Sequence, residues 1–453
     1  ESGSSRLQGW YSPNHANVRT GWTFGIAIRV VVTYASTDYV VWTGRLRTID
    51  PIPGQYGPQR VRCVAHDCMG DLAESEVNVA IQIDKTEVEC LQAIVAALPT
   101  ASQPVATDYD TALELFPYAL DNLSTGVLAL TGVIDVIDSC QGRAFPRADG
   151  TFTYINRHTW STAVSDFSFT ETMLDREDGI EVPSDLSSAW NDVSATAHPK
   201  TVSGTIVLCG ITGAVYVAPG ETVVIFLDYT DPNNRDRLIG GKTFTTPLVE
   251  DTDYDARANA DGSGSDLSAN LSVSISPFAA TAKFTVTNNG ATGAYLVTGA
   301  GTPLLQLRGI GLYDNAPDTR RSTSTQPYGS RKLPAIDLRY QADGAFAGDV
   351  AAFVRSRYEN MADQADALRF DPQRSAALMV EALTVEIGDC KTVSETMTGL
   401  AAVDVLVQGI EMEVTKGDYL RVRYVTAPAT PFRFWQWGIV GSSEWGERTV
   451  YAF

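Results

Sequence analysis

The sequence contains few cysteine and histidine residues, the side chains that most often bind transition metals or take part in redox chemistry. Its 453 residues include only six cysteines and four histidines, and no two cysteines stand in a Cys-x-x-Cys pair. A chain of this length can bury a core of its own, so it needs no disulfide framework. We therefore expect reduced, mostly buried thiols in a protein that folds in a cytoplasm. The cysteines are Cys63, Cys68, Cys90, Cys140, Cys209 and Cys390.

Long apolar runs and a positive charge balance are also missing. No stretch approaches the roughly 20 apolar residues that cross a bilayer, and residues 1–7 carry no apolar signal segment or initiator Met. We expect that the original N-terminus is missing or processed. The 54 acidic residues outnumber the 34 basic ones, which argues against a protein that grips nucleic acid. The balance suits a plain soluble surface, or one past which DNA slides without sticking.

One short stretch combines several reactive side chains. Cys63, His66, Asp67 and Cys68 lie within six positions. Zinc needs four converging ligands, but no second Cys/His pair is nearby, and Cys63 and His66 would point to opposite faces of a strand. We therefore predict a strand that runs into the start of a helix, with Asp67 as the N-cap.

Catalytic patterns are not recognisable elsewhere. No Gly-x-Ser-x-Gly elbow occurs, and the stretch 262–266 reads as a polar loop. Gly299–Pro303 lacks the third glycine and the helix of a phosphate loop, and 54 acidic residues make chance carboxylate pairs unavoidable. We predict structural or surface roles for the histidines, no catalytic residue and no cofactor. The histidines are His15, His66, His158 and His198.

The best metal candidates are aspartates at alternate positions. Asp251, Asp253 and Asp255 offer hard oxygen ligands of the kind that Ca²⁺ prefers, and residues 261–266 form a second acidic loop. Neither loop has the later residues of an EF-hand. Acidic loops are more often simply solvated, so we predict no metal site and keep these three aspartates as Ca²⁺ candidates.

Periodicity predicts mostly strands with a few helices. β-Branched and aromatic residues predict a meander over 23–34, 39–49 and 60–67. Thr86 and Glu89 form a capping box before an apolar stripe that ends at Leu98, and Asp149-Gly150 predicts a hairpin. Two further helices are predicted, over 130–140 and over 346–360. In the first, the residues expected to face inward are Val133, Ile134, Val136 and Ile137. Gly142 is the predicted C-cap of that helix.

The later half alternates strands with polar loops. Strands are predicted over 205–209, 222–228, 269–275 and 282–287, which suggests an inserted antiparallel β-sandwich. The closing strands are predicted over 379–386, 403–413 and 419–426. The tail carries Trp435, Trp437 and Trp445, which suit an interface better than a sugar-stacking site.

Several of these stretches, in this order, resemble tailed-bacteriophage tail-hub proteins. The first barrel of that family is similar to 42–46, followed by a Pro/Gly loop and then 61–73. Its hairpin is similar to 149–157. The opening of its second barrel resembles Trp190–Val193, and the continuation of that barrel resembles 328–331 and 386–389.

The resemblance implies a mainly β fold with a few helices (α+β), containing two tail-tube-like β-barrels, a small α/β domain and an inserted β-sandwich. The first barrel would cover 1–84, with its N-terminal part missing, and a helix-hairpin α/β domain would cover 85–185. The second barrel with its helix would take 186–200 and 310–453, around an immunoglobulin-like sandwich at 201–309. No peptidoglycan-cleaving domain is visible after the second barrel.

The function implied is that of a structural virion protein without enzyme activity. Such a homotrimer forms the hub ring at the distal end of the tail, connects the tube to the tip, and forms part of the DNA exit channel. Its partners would be the distal tail ring protein, the tape-measure protein and tip fibre proteins, with DNA in transient passage and a role in host attachment. It would be assembled in the host cytoplasm and located in the virion.

Two other classes stay open. A secreted or surface glycan-binding sandwich protein or glycosidase would account for the sandwich and the exposed aromatics. A fibre or receptor-binding protein would show internal repeats, and the sequence has none.

Overall fold

The computed structural model describes residues 9–52, 60–123, 126–161, 163–176, 178–182, 189–230, 238–359, 365–415, 419–429, 433–434 and 449–450. Of the described residues, 45% lie in strands and 17% in helices. This confirms the prediction of a mainly β, α+β fold.

In the first part of the chain, the described residues alternate strands with four helices. The strands are β1 Ala27–Tyr34, β2 Thr37–Ile52, β3 Arg60–His66, β4 Gln82–Thr86, β5 Ala106–Tyr109, β6 Leu115–Ala119, β7 Arg143–Pro146, β8 Thr151–Ile155, β9 Ser165–Thr170 and β10 Ile180–Glu181. The helices are α1 Cys68–Glu74, α2 Glu87–Ala97, α3 Ala129–Cys140 and α4 Arg157–Ser161.

The described residues of the middle part form strands and a short 3-10 turn. The strands are β11 Asp192–Ala197, β12 Lys200–Gly210, β13 Tyr216–Val217, β14 Thr222–Asp228, β15 Leu238–Lys242, β16 Leu271–Pro277, β17 Thr281–Asn288, β18 Ala294–Tyr295 and β19 Gln306–Asp314.

The described residues of the last part add two helices and a long hairpin. Its elements are β20 Asp318–Thr323, β21 Ile336–Leu338, α5 Gly344–Tyr358, β22 Ala367–Phe370, α6 Ala376–Thr384, β23 Cys390–Glu395, β24 Leu400–Thr415, β25 Tyr419–Pro428, β26 Arg433–Phe434 and β27 Thr449–Val450.

β1, β2 and β3 form the predicted antiparallel meander, in the order β1-β2-β3. Val32, Tyr39 and Val41 lie on one face and pack against the core of a six-stranded sheet in the order β10-β22-β25-β24-β23-β9. Among the described strands, neither sheet closes on itself, so closure into barrels remains a prediction. The domain boundaries also remain predictions.

The α/β part is centred on α2 and α3. Thr86 and Glu89 form the predicted capping box at the start of α2, and Leu91 and Ile94 are fully buried beneath it. In α3, Val133 and Val136 point inward as predicted, but Ile134 is 47% exposed, so the prediction for that residue is wrong. The helix begins one residue earlier than predicted, at Ala129, and ends at Cys140 as predicted.

That helix end is capped by a non-glycine residue. Gln141, not Gly142, adopts the left-handed conformation, with φ 57° and ψ 28°. Gly142 is needed for space instead, since a Cβ there would lie 2.5 Å from the Tyr154 ring. Left-handed caps favour glycine but accept polar residues, so the sequence signal was one position off. The Asp149-Gly150 hairpin between β7 and β8 is confirmed.

The inserted strands surround one core. β14 pairs with β17 and β17 with β16, while β19 pairs with β12 and β15. Phe284, Val286, Leu296 and Leu307 are completely buried between these elements. The strands predicted over 222–228 and 282–287 are confirmed, because strict alternation identifies half-buried strands reliably.

The closing part contains one wrong prediction. Residues 379–386 were expected to form a strand, but Ala376–Thr384 form α6. Its apolar run has no period-2 alternation and consists largely of strong helix formers. Ser375 caps the helix by accepting from the Leu378 N–H, and Leu378 and Ala382, four positions apart, are buried against the six-stranded sheet.

Candidate functional site

The opening Cys/His/Asp cluster is a structural junction. The Asp67 carboxylate caps α1 by accepting from the Met69 N–H at 2.9 Å, which confirms the predicted N-cap. Cys68 is buried, and burial raises the pKa of its thiol to about 12. Cys63 lies exposed on β3. The other five cysteines are buried and all six are free thiols, as expected.

Three aspartates approach one another in the acidic loops. Oxygens of Asp251, Asp255 and Asp266 lie within 4.8 Å of one another. The Arg257 guanidinium bridges two of them, at 3.1 Å from Asp255 Oδ2 and 3.2 Å from Asp266 Oδ2. This bridge raises the pKa of Arg257, chiefly through its hydrogen bond to Asp255. A cation therefore already neutralises part of this cluster.

Asp253, the central Ca²⁺ candidate, points elsewhere. It is completely buried, and Arg308 donates to both of its carboxylate oxygens, at 2.6 and 3.0 Å. Alternate positions share one face only in an extended segment, but here the chain turns, with Asp251 in the left-handed region at φ 61° and the Asp253 N–H donating to the Val249 carbonyl at 2.6 Å. The alternate spacing in the sequence therefore did not place the three aspartates on one side. It could not show that Asp266 joins the cluster.

The described histidines take part in local contacts. His15 Nδ1 accepts from the Asn17 N–H at 3.1 Å, and His198 Nε2 contacts an oxygen of Asp337. Their absence from catalysis remains a prediction. The tail with Trp435, Trp437 and Trp445 lies outside the described residues.

The meander carries an unusual charge. Residues 1–66 contain seven arginines and three acidic residues, in a chain whose net charge is −20. Arg45 and Arg47 are used internally, in ion pairs with Asp71 and Glu74 on α1. The remaining three arginines of the meander strands are exposed and make no ion pair with any described residue; we call them the arginine rim. They are Arg29, Arg60 and Arg62.

The edge strand β1 also exposes apolar side chains. Val30 is 43% exposed and Val31 is 41% exposed, and the outer edge of β1 pairs with no described strand. Val30 and Val414 line a groove of about 620 Å³ between the meander and the β24–β25 hairpin. Sequence reasoning identified these strands but missed the groove, because it depends on how two distant sheets meet.

The inserted strands present a second exposed face. Phe226 is 53% exposed and Val224 is 47% exposed on β14. The register places Lys283 and Thr285 of β17 beside them, and serines of β16 continue the face. An aromatic ring among hydroxyl groups is a surface that a neutral polar ligand could contact.

No helix within the described ranges is long and apolar enough to span a bilayer.

Comparison with known proteins gives matches in structure only. No protein-family model matches the chain, and no curated protein matches it. Among the solved structures to which it is similar are two tail proteins. The 43 kDa tail protein of prophage MuSo2 from Shewanella oneidensis has a TM-score of 0.44 and 10% identity, covering 89% of this chain and 90% of that one. The tail protein from Neisseria meningitidis MC58 has a TM-score of 0.43 and 7% identity, covering 89% and 87%.

Proposed function

We propose that this chain is a non-enzymatic structural subunit of a phage tail hub, in which three copies close into a ring at the distal end of the tail. The ordered motifs of the tail-hub resemblance support this proposal. The mainly β architecture, with a meander packed against a larger sheet, agrees with it.

The observation that carries the proposal is the outer edge of β1, with which no strand in the described ranges pairs. An eight-residue edge strand with exposed valines is a ready template for pairing with another chain, and monomeric proteins normally protect such edges. Here the edge is accompanied by the arginine rim, while residues 67–200 contain 22 acidic and six basic residues. The basic meander of one copy therefore complements the acidic part of the next.

A ring built in this way explains the overall charge. Once the arginine rim is covered by a neighbour, the surface left to line a central channel is strongly acidic. Acidic walls repel phosphates, so DNA would pass through without binding. The distal tail ring protein, the tape-measure protein and tip fibre proteins are the partners of such a ring, which would be assembled in the host cytoplasm and located at the virion tail tip.

Light scattering coupled to size exclusion tests the assembly. We expect a particle of three 48.9 kDa chains, visible as a three-fold ring in electron micrographs. Val31→Lys should give monomers, because it places a charge on the pairing edge. Val224→Lys, on the similarly exposed strand β14, is the matched control and should leave the trimer intact. A wild-type chain that stays monomeric at tens of micromolar would contradict the proposal.

The face around Phe226 favours one alternative, a glycan-binding sandwich. Under that alternative, the purified chain would bind soluble host polysaccharide in calorimetry and Phe226→Ala would abolish the signal. Binding by a monomer, unaffected by Val31→Lys, would favour this alternative over the hub.

A further inference from the structure

Lys391 is a fully buried lysine in the core of the six-stranded sheet. Its side chain is 0% exposed, and its neighbour two positions on, Val393, belongs to the same buried face. A buried ammonium requires partners. Three carboxylates surround the Nζ atom: Asp166 Oδ1 at 2.7 Å, Glu381 Oε1 at 2.8 Å and Asp389 Oδ2 at 3.5 Å.

The backbone holds Asp166 against Lys391 through a β-bulge. β9 and β23 are parallel neighbours, with Cys390 opposite Ser165 and Lys391 opposite Phe167. Asp166 is the extra residue between these two pairs. A bulge redirects the side chain of its extra residue, and here it brings a carboxylate from the other side of the strand to the lysine.

We propose that Lys391 and Asp166 become joined by an isopeptide bond between Nζ and Cγ. Nζ attacks Cγ, the C–O bond to one carboxyl oxygen breaks, and one water molecule leaves as the amide forms. The step needs no oxidant, reductant or added reactant. Well-oriented neighbouring groups can reach effective concentrations of about 10⁵–10⁸ M, and such values can drive a condensation that free solutes do not complete.

Glu381 carries the protons of this step. Burial raises the pKa of Glu381, against the lowering effect of Lys391. Burial lowers the pKa of Lys391, but the carboxylates outweigh it and the pKa is raised, so the lysine starts as an ammonium. Two protons leave Nζ as the amide forms. Glu381 accepts each of them in turn across its 2.8 Å contact with Nζ and passes it to the departing oxygen of Asp166, which leaves as water. The carboxyl of Glu381 is unchanged at the end.

Geometry selects Asp166 among the three carboxylates. The Asp389 oxygen nearest to Lys391 is 3.5 Å away and already accepts from the Glu386 N–H. Glu381 is 8% exposed, whereas the side chain of Asp166 is 54% exposed. Water released from Asp166 can therefore reach the solvent. The bond would close a loop between residues 225 positions apart, fixing β9 to the sheet.

Mass spectrometry of the intact, purified full-length chain tests the proposal directly. We expect a mass lower than that of the sequence by one water molecule, and a proteolytic peptide pair joined through Lys391 and Asp166. A full mass, with the two residues in separate peptides, would overturn the proposal. A crosslink that maps to Asp389 or Glu381 would overturn the assignment to Asp166.

Two variants test the roles assigned to Asp389 and Glu381. Asp389→Asn should keep the crosslink, whereas Glu381→Gln should give the uncrosslinked mass in a folded chain, as judged by circular dichroism. A crosslink that persists in Glu381→Gln would overturn the proton-carrying role. Since the first measurement uses the unmodified protein, a variant that fails to fold does not weaken the test, and neither result depends on trimer formation.

Discussion

Arg308 and Asp253 form a two-pronged ion pair inside the inserted sandwich, with Nε and one terminal nitrogen of the guanidinium each donating to a different carboxylate oxygen. The pair joins β19 to the acidic loop before β16 across 55 positions of sequence. Asp253 also accepts from the Val249 N–H at 2.9 Å. The carboxylate thus organises the loop that holds the neighbouring aspartates.

Removing Arg308 should destabilise the sandwich strongly. The Arg308→Met variant leaves the fully buried carboxylate of Asp253 without its cation, and a stranded buried charge is among the most destabilising changes known. We expect a clear fall in melting temperature. The control is Arg257→Met, whose partner Asp255 keeps a hydrogen bond from Ser268 Oγ at 3.1 Å. An equal fall in melting temperature in both variants would contradict the expectation that Asp253 depends more on Arg308 than Asp255 depends on Arg257.

Calcium should not stabilise the wild-type chain. Asp251, Asp255 and Asp266 come close together, but Arg257 already bridges two of them. A divalent ion would have to displace that guanidinium. We expect the melting temperature in millimolar CaCl₂ to equal that in EDTA, and to rise with CaCl₂ only in Arg257→Ala. A rise in the wild type would revive the calcium hypothesis for this loop.

Local signals in the sequence predicted local structure well. The Thr86–Glu89 capping box and the Asp149-Gly150 turn are confirmed, because their partners are two or three residues apart. The β14 strand was predicted over the same residues that it occupies, since one of its faces is partly buried and the other exposed. Hydrophobic periodicity is sufficient to predict a strand when the alternation lies within that strand alone.

Features that depend on distant partners could not be predicted. Alternating aspartates suggested a site of three neighbouring residues, but Asp253 forms an ion pair with Arg308 instead. Asp266, which is distant in sequence, lies close to Asp251 and Asp255 in its place. The apolar run of α6 fits a strand or a helix equally until its packing partner is known. The bulge that brings Asp166 to Lys391 depends on a parallel pairing between strands 225 positions apart, which no local pattern reports.

The buried carboxylate of Glu87 should be essential to the α/β part. It is 0% exposed and accepts from the backbone N–H groups of Leu113 and Glu114 at 2.6 and 3.0 Å, and from the Tyr154 hydroxyl at 3.2 Å. In Glu87→Gln, the amide presents a donor where backbone donors already point. An unsatisfied buried group of this kind costs about 1–3 kcal/mol.

Chemical denaturation measures this cost. The control is Glu413→Gln on β24, an exposed residue without an ion pair to any described side chain, and it should change stability by less than about 0.5 kcal/mol. If Glu87→Gln unfolds at the same denaturant concentration as the control, the hydrogen bonds to Glu87 do not contribute to the stability of the folded chain.

The pH dependence of stability should report Asp138 on α3. Burial, then Asp135 and Asp337, raise the pKa of Asp138 from 3.8 to about 6. A carboxyl with a raised pKa binds its proton more tightly in the folded state. Its contribution to stability is therefore complete below pH 3.8 and is lost as the pH rises through about 6. Solvent still reaches this side chain, which limits the effect to below about 1 kcal/mol.

Asp138→Asn removes that proton equilibrium. We expect the variant to be more stable than the wild type at pH 7 and equally stable at pH 4, so the two melting curves should converge on acidification. The control Asp50→Asn, at an exposed carboxyl on β2, should run parallel to the wild type at both pH values. Because Asp135 also has a raised pKa through burial, the double variant Asp135→Asn/Asp138→Asn should gain further stability at pH 7. A gain from Asp138→Asn that is as large at pH 4 as at pH 7 would show that removing the proton equilibrium is not its cause.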